Sequence, residues 1–136
     1  MTKPKHDQLY QDLLSLKLNH IGEHYRELLD EAARKNSSML DVLIQLIGGQ
    51  LAARRDSALA RRVRLAHLPG MKRLEDYDFN FPTKIPKQRI LRLFDCQFVE
   101  THHCAVFIGG IGVGKTHLLT ALGYAASEKG MSVRFT

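Results

Sequence analysis

Ala105-Val106-Phe107-Ile108-Gly109-Gly110-Ile111-Gly112-Val113-Gly114-Lys115-Thr116 is the stretch on which the reading of this chain turns. Four consecutive apolar residues bounded by glycines predict a short buried strand. The eight residues after them fit G-x-x-x-x-G-K-[ST], a pattern that joins a strand to the start of a helix. That helix is expected from Lys115 to about Lys129, with Gly130 as its C-cap. Met131, Val133 and Phe135 then alternate with Ser132 and Arg134, as a strand does. The expectation for this end of the chain is therefore strand, phosphate loop, helix, strand. That order is the start of a parallel α/β sheet with a crossover helix.

Each residue type in the motif has a mechanical reason. Glycines let the backbone curl until successive N–H groups face an anion, and the helix N-terminus adds positive potential. A lysine at position 115 reaches the β- and γ-phosphates, and the Thr116 hydroxyl is placed to ligate Mg²⁺. The candidate binding residues are Gly109, Gly110, Ile111, Gly112, Val113, Gly114, Lys115 and Thr116, with His117 directly after them. The expected ligand is a nucleoside triphosphate with Mg²⁺, and ATP foremost. A glycine-rich turn with no ligand is the alternative. A complete site normally takes a further acid from a later strand. The sequence ends at Thr136, inside the strand expected after the helix, so the chain is expected to be truncated relative to a working NTPase.

Working outward towards the N-terminus, the character is helical. Leu14, Leu18, Ile21, Tyr25, Leu28 and Ala32 recur at spacings of four and three, which predicts one helix with an apolar face. Asn36 and Ser37 break it, and Ser38 with Asp41 resembles a capping box. A second helical stretch follows from about Met39 to Leu68, where Gly48-Gly49 predicts a kink or a split. Pro69-Gly70 ends it. Residues 74–82 read as extended or irregular, and Pro86 to Phe94 as a short helix with proline at its start.

The net charge is +6, and its placement is uneven. Between residues 51 and 73, Arg54, Arg55, Arg61, Arg62, Arg64, Lys72 and Arg73 face a single acid, Asp56, so this stretch holds as much positive charge as the whole chain. Arg61, Arg62 and Arg64 have no acid three or four positions on to neutralise them. The expected partner is the phosphate backbone of double-stranded DNA, without sequence preference. Few aromatic residues lie here, which argues against stacking on single strands. A solvated helix face is the other reading.

Bulk composition agrees with a globular chain: 136 residues, 44% hydrophobic and 25% charged. There is no signal-peptide pattern, and no apolar run nears the roughly 20 residues that cross a bilayer, so a cytoplasmic location is expected. Cys96 and Cys104 lack a metal or redox spacing and are expected to be reduced. His20-Ile21-Gly22-Glu23-His24 matches H-x-x-E-H, but no third ligand stands out. His102-His103-Cys104 reads as a solvated loop.

Several of these stretches together carry a resemblance. Leu16-Lys17-Leu18, the Arg54-Arg55 and Arg61-Arg62 pairs, Leu68-Pro69, Leu74-Glu75-Asp76-Tyr77-Asp78-Phe79, Gly112 to Leu118 and Ala121-Leu122-Gly123 resemble the IstB-like family. These are ATP-binding helper proteins of insertion-sequence transposition, related to DnaC-type helicase loaders and the AAA+ class. Gly110-Ile111 stands where the family usually has Pro-Thr or Pro-Ser. The resemblance implies a helical N-terminal domain (1–70), a linker (71–103) and an incomplete AAA+ type α/β domain (104–136). It also implies ATP-dependent homo-oligomerisation on DNA and delivery of that DNA to a transposase. The family's Walker B acids, sensor residue and arginine finger would fall beyond Thr136, so this chain alone is not expected to hydrolyse ATP. Rival readings are a helicase loader in replication, a small-molecule P-loop kinase and a remnant without function.

Overall fold

The computed structural model describes residues 3–80 and 85–136, with the side chain of Lys3 left aside. Among them are six helices: α1 Lys3–Ser15, α2 Asn19–Lys35, α3 Met39–Ala66, α4 Lys87–Leu93, α5 Gln97–Glu100 and α6 Lys115–Glu128. The chain divides into two compact units, residues 1–58 and 59–136, so the division falls within α3.

The first unit corrects one expectation. The stripe from Leu14 to Ala32 belongs to two helices, not one. Lys17 takes a left-handed conformation (φ 57°), the Leu18 N–H bonds back to the Leu13 carbonyl, and the Lys17 N–H to that of Leu14. This pair of bonds is a Schellman ending, built here without the usual glycine. α2 ends at left-handed Asn36, where the break is expected. Ser38 and Asp41 form their capping box: the Asp41 N–H donates to Ser38 Oγ at 3.2 Å, and the Asp41 carboxylate accepts the Ser38 N–H at 3.2 Å.

α2 and α3 meet through a polar group, Gln50, and a small one, Gly49. Ile21, Tyr25 and Val42 are buried. Gln50, also buried, accepts the Ile21 N–H at 3.3 Å, which satisfies one of the donors a helix start leaves open. Tyr25, only 2% exposed, donates to the His6 carbonyl at 3.1 Å. The split that was one of the two expectations at Gly48-Gly49 is absent, for α3 runs through both. A Cβ at Gly49 would lie 2.5 Å from His20 Nε2, so the bare backbone makes room for that ring. Leu40, Leu43, Ile44, Ile47 and Leu51, along another face of α3, are exposed.

In the second unit the parallel sheet is not found. Neither 105–108 nor 131–136 is a strand, and no strand occurs among the described residues. Exposure does alternate along both segments, with Ala105 and Phe107 half-buried while Val106 is 78% and Ile108 93% exposed. Alternation is a property of one segment, whereas a strand is a hydrogen-bonded relation between two. No backbone bond joins these two segments among the described residues. The expected strand–loop–helix–strand order is therefore corrected to extended segment, loop, helix and extended segment.

What packs is helix and loop. Tyr77, Ile90 and Leu118 form one buried cluster, with Leu74, Phe79, Ile85, Phe94 and Phe107 against it. Cys96, Leu122 and Ala126 form another, covered by Phe98, Met131 and Val133 among others. α6 ends as expected at Gly130 (φ 88°), whose N–H meets the Ser127 carbonyl while the Met131 N–H meets that of Ala126.

Candidate functional site

The glycine-rich loop is placed by the start of α6. Gly112 and Gly114 both have φ of 81°, a region that costs other L-residues and not glycine. Gly114 is the N-cap of α6, and its carbonyl accepts the Leu118 N–H at 3.0 Å. The N–H groups of the first turn of α6 thus open at the loop, the arrangement that favours an anion. Lys115 folds back over the loop and donates to the Gly109 carbonyl at 2.9 Å and the Gly110 carbonyl at 2.5 Å. Gly109, Gly110, Ile111 and Gly112 are exposed, while Val113, Gly114 and Lys115 are half-buried.

Thr116 is exposed in the first turn of α6. It offers one hydroxyl oxygen, and among the described residues no group of three or more His, Cys, Asp or Glu could hold a metal ion. A lone hydroxyl does not hold a metal ion by itself; it would serve as a ligand only beside phosphate oxygens and water. His117 points elsewhere, with Nε2 3.0 Å from the Arg73 carbonyl and its ring edge-to-face with Tyr77 at 5.5 Å. Beside the loop lies a cavity of about 440 Å³, lined by Tyr77, Arg89, Ile90, Phe107, Lys115 and Leu118 among others.

Tyr77 is the residue that reading the sequence missed. It lies in the stretch taken as irregular linker, yet its hydroxyl donates to the Val113 carbonyl at 2.7 Å. A contact across 36 positions leaves no local signal. Only its place in the Leu74–Phe79 stretch that carries the family resemblance hinted at a role.

The basic residues differ in their surroundings. Arg55, Arg61, Arg64 and Lys72 are exposed. Arg62 is half-buried, and its Nε donates to the Ser127 carbonyl at 2.9 Å, near the C-terminus of α6 where a cation is favoured. Arg73 lies over the Tyr124 ring at 5.3 Å and donates to its hydroxyl at 3.3 Å. Arg54 reaches the Lys17 carbonyl at 3.5 Å. His20 and His24 stack at 4.2 Å, with His24 Nδ1 2.8 Å from the His20 carbonyl, an arrangement internal to the helix. None of the helices among the described residues is long and apolar enough to cross a membrane.

Comparison with known proteins places this loop in a family. The family described as IstB-like ATP binding protein matches residues 11–136. A protein of Bacillus thuringiensis subsp. berliner, named as the ATP-binding protein of insertion sequence IS232, is 32% identical over 133 residues, covering 98% of this chain and 53% of that protein. One from Pseudomonas aeruginosa, named for insertion sequence IS21, is 34% identical over 123 residues, 90% of this chain and 46% of its own length. One from Geobacillus stearothermophilus, named for IS5376, is 23% identical over 129 residues, 95% of this chain and 51% of that protein. The chain spans about half the length of the curated relatives it matches. On a match that runs from residue 11 to the last residue and includes the whole phosphate loop, the chain belongs to the IstB-like ATP-binding protein family.

Proposed function

We propose that this chain binds ATP with Mg²⁺ at the Gly109–Thr116 loop and serves as an ATP-binding helper in DNA transposition. The observation that carries the reading is Lys115 poised over a loop that opens onto the N-terminus of a 14-residue helix. Bound phosphate would take the ammonium from the Gly109 and Gly110 carbonyls and meet the N–H groups of the first turn. Thr116 would supply one oxygen to the metal ion, and the cavity beside the loop offers apolar surface to the base. The relatives' names, which place them in insertion sequences, favour transposition over helicase loading or small-molecule phosphorylation.

The partner on this reading is double-stranded DNA, met through exposed Arg55, Arg61, Arg64 and Lys72. A transposase would receive that DNA, and ATP-dependent assembly of several copies would hold it. Lys115→Ala tests the nucleotide site. Removing the main protein charge on the β/γ-phosphates is expected to weaken ATP binding at least tenfold, a loss of about 1.4 kcal/mol or more, in a titration with MgATP. Equal affinity in parent and variant would sink the assignment.

A further inference from the structure

We propose that Tyr77 is a positioning residue of the phosphate loop, holding the Val113–Gly114 peptide so that the Gly114 N–H is aimed at bound phosphate. The inference rests on the nucleotide reading above and adds to it a group outside the motif. Three observations carry it. The Tyr77 hydroxyl donates to the Val113 carbonyl at 2.7 Å. A trans peptide is planar and its C=O and N–H point in opposite directions, so fixing the carbonyl towards Tyr77 fixes the Gly114 N–H away from it. Among the described residues no protein acceptor takes that N–H.

The second observation is steric. A Cβ at Gly114 would lie 2.5 Å from Tyr77 Cε2 and 3.4 Å from Cζ. The ring is pressed against the loop backbone, so the glycine is required by its left-handed φ and by its neighbour alike. The third is that Tyr77 cannot easily leave. It is 9% exposed, packed with Ile90 and Leu118, and flanked edge-on by Phe79 at 4.9 Å and His117 at 5.5 Å. His117 is itself tied to the Arg73 carbonyl. Burial pushes the Tyr77 phenol up from its ordinary value, which keeps it a donor through the neutral range.

The test compares parent, Tyr77→Phe and Lys115→Ala in titrations with MgATP and with inorganic tripolyphosphate, alongside thermal melts and the ¹H–¹⁵N resonance of Gly114. Tyr77→Phe keeps the ring and is expected to stay folded. It should weaken ATP and tripolyphosphate by the same factor, about tenfold, the size of one hydrogen bond of ordinary strength. The Gly114 resonance should move on adding tripolyphosphate to the parent and should already be displaced in unliganded Tyr77→Phe. Parent-like affinity in Tyr77→Phe, with Lys115→Ala weakened, would overturn the positioning role and leave the nucleotide reading standing. A loss for ATP with none for tripolyphosphate would move Tyr77 to the base and overturn it too. An unmoved Gly114 resonance in the parent would do the same, whatever the variants' stability. Lys115→Ala binding both ligands as the parent does would remove the nucleotide reading and the positioning role together.

Discussion

At the scale of single residues, charge alone does not say what an arginine does. Seven basic side chains between 51 and 73 read alike in the sequence, and three of them have partners within the protein. Arg62 is the plainest case, since it satisfies a carbonyl of the last turn of α6. Arg62→Ala is expected to lower stability by about 1 kcal/mol, the worth of one such bond. Arg61→Glu with Arg64→Glu should leave the melting temperature where it is and weaken binding to two unrelated duplexes about equally. If both side chains meet phosphates, the slope of log K against log salt should flatten by roughly 1.8. Binding that ignores salt, or that survives the double reversal, would return these residues to the role of a solvated face. The glycine-rich loop, by contrast, was legible because its left-handed glycines and the start of the helix after it lie within eight adjacent residues. Tyr77 was not, because its role depends on packing between distant segments.

Helix ends show the same division between local and distant causes. The capping box at Ser38, the break at Asn36 and the cap at Gly130 are local, and all three are where the sequence puts them. The break at Lys17 was hidden, since a left-handed lysine carries none of the signal a glycine would. Gly48-Gly49 misled in the other direction, allowing for a split where α3 continues. The two glycines differ in surroundings, and that difference is measurable. A methyl at Gly48 meets nothing within 4 Å, so Gly48→Ala should raise stability by up to about 1 kcal/mol through helix propensity. At Gly49 the methyl would displace the His20 ring from its place against His24, offsetting the gain. Thermal melts should show a rise for the first and none for the second; equal rises would contradict this account. The expected strands failed for a different reason: the apolar run at 105–108 and the alternation at 131–135 each describe one segment, and a hydrogen-bonding partner is not written in either one.

Over the whole molecule, order is concentrated in helices and in the two clusters beside α6. Amide exchange should follow. Amides in the interiors of α2, α3 and α6 are expected to be slow, and those of 105–108, which make no ladder, fast. Within 131–136, Met131 and Phe135 should exchange more slowly than Ser132 and Arg134, because their N–H groups meet the carbonyls of Ala126 and Ala66. Uniformly slow exchange through 105–108 would show a ladder and restore the strand there. The two cysteines divide along the same line between packed and open structure. Cys96 is fully buried and its thiol is pushed up by that burial, while Cys104 is exposed at the head of the extended segment leading to the loop. A maleimide at neutral pH therefore meets one accessible thiol in the native fold. A dye attached there sits five residues before Gly109, so the unaltered sequence already offers a single labelling site beside the loop proposed to bind nucleotide.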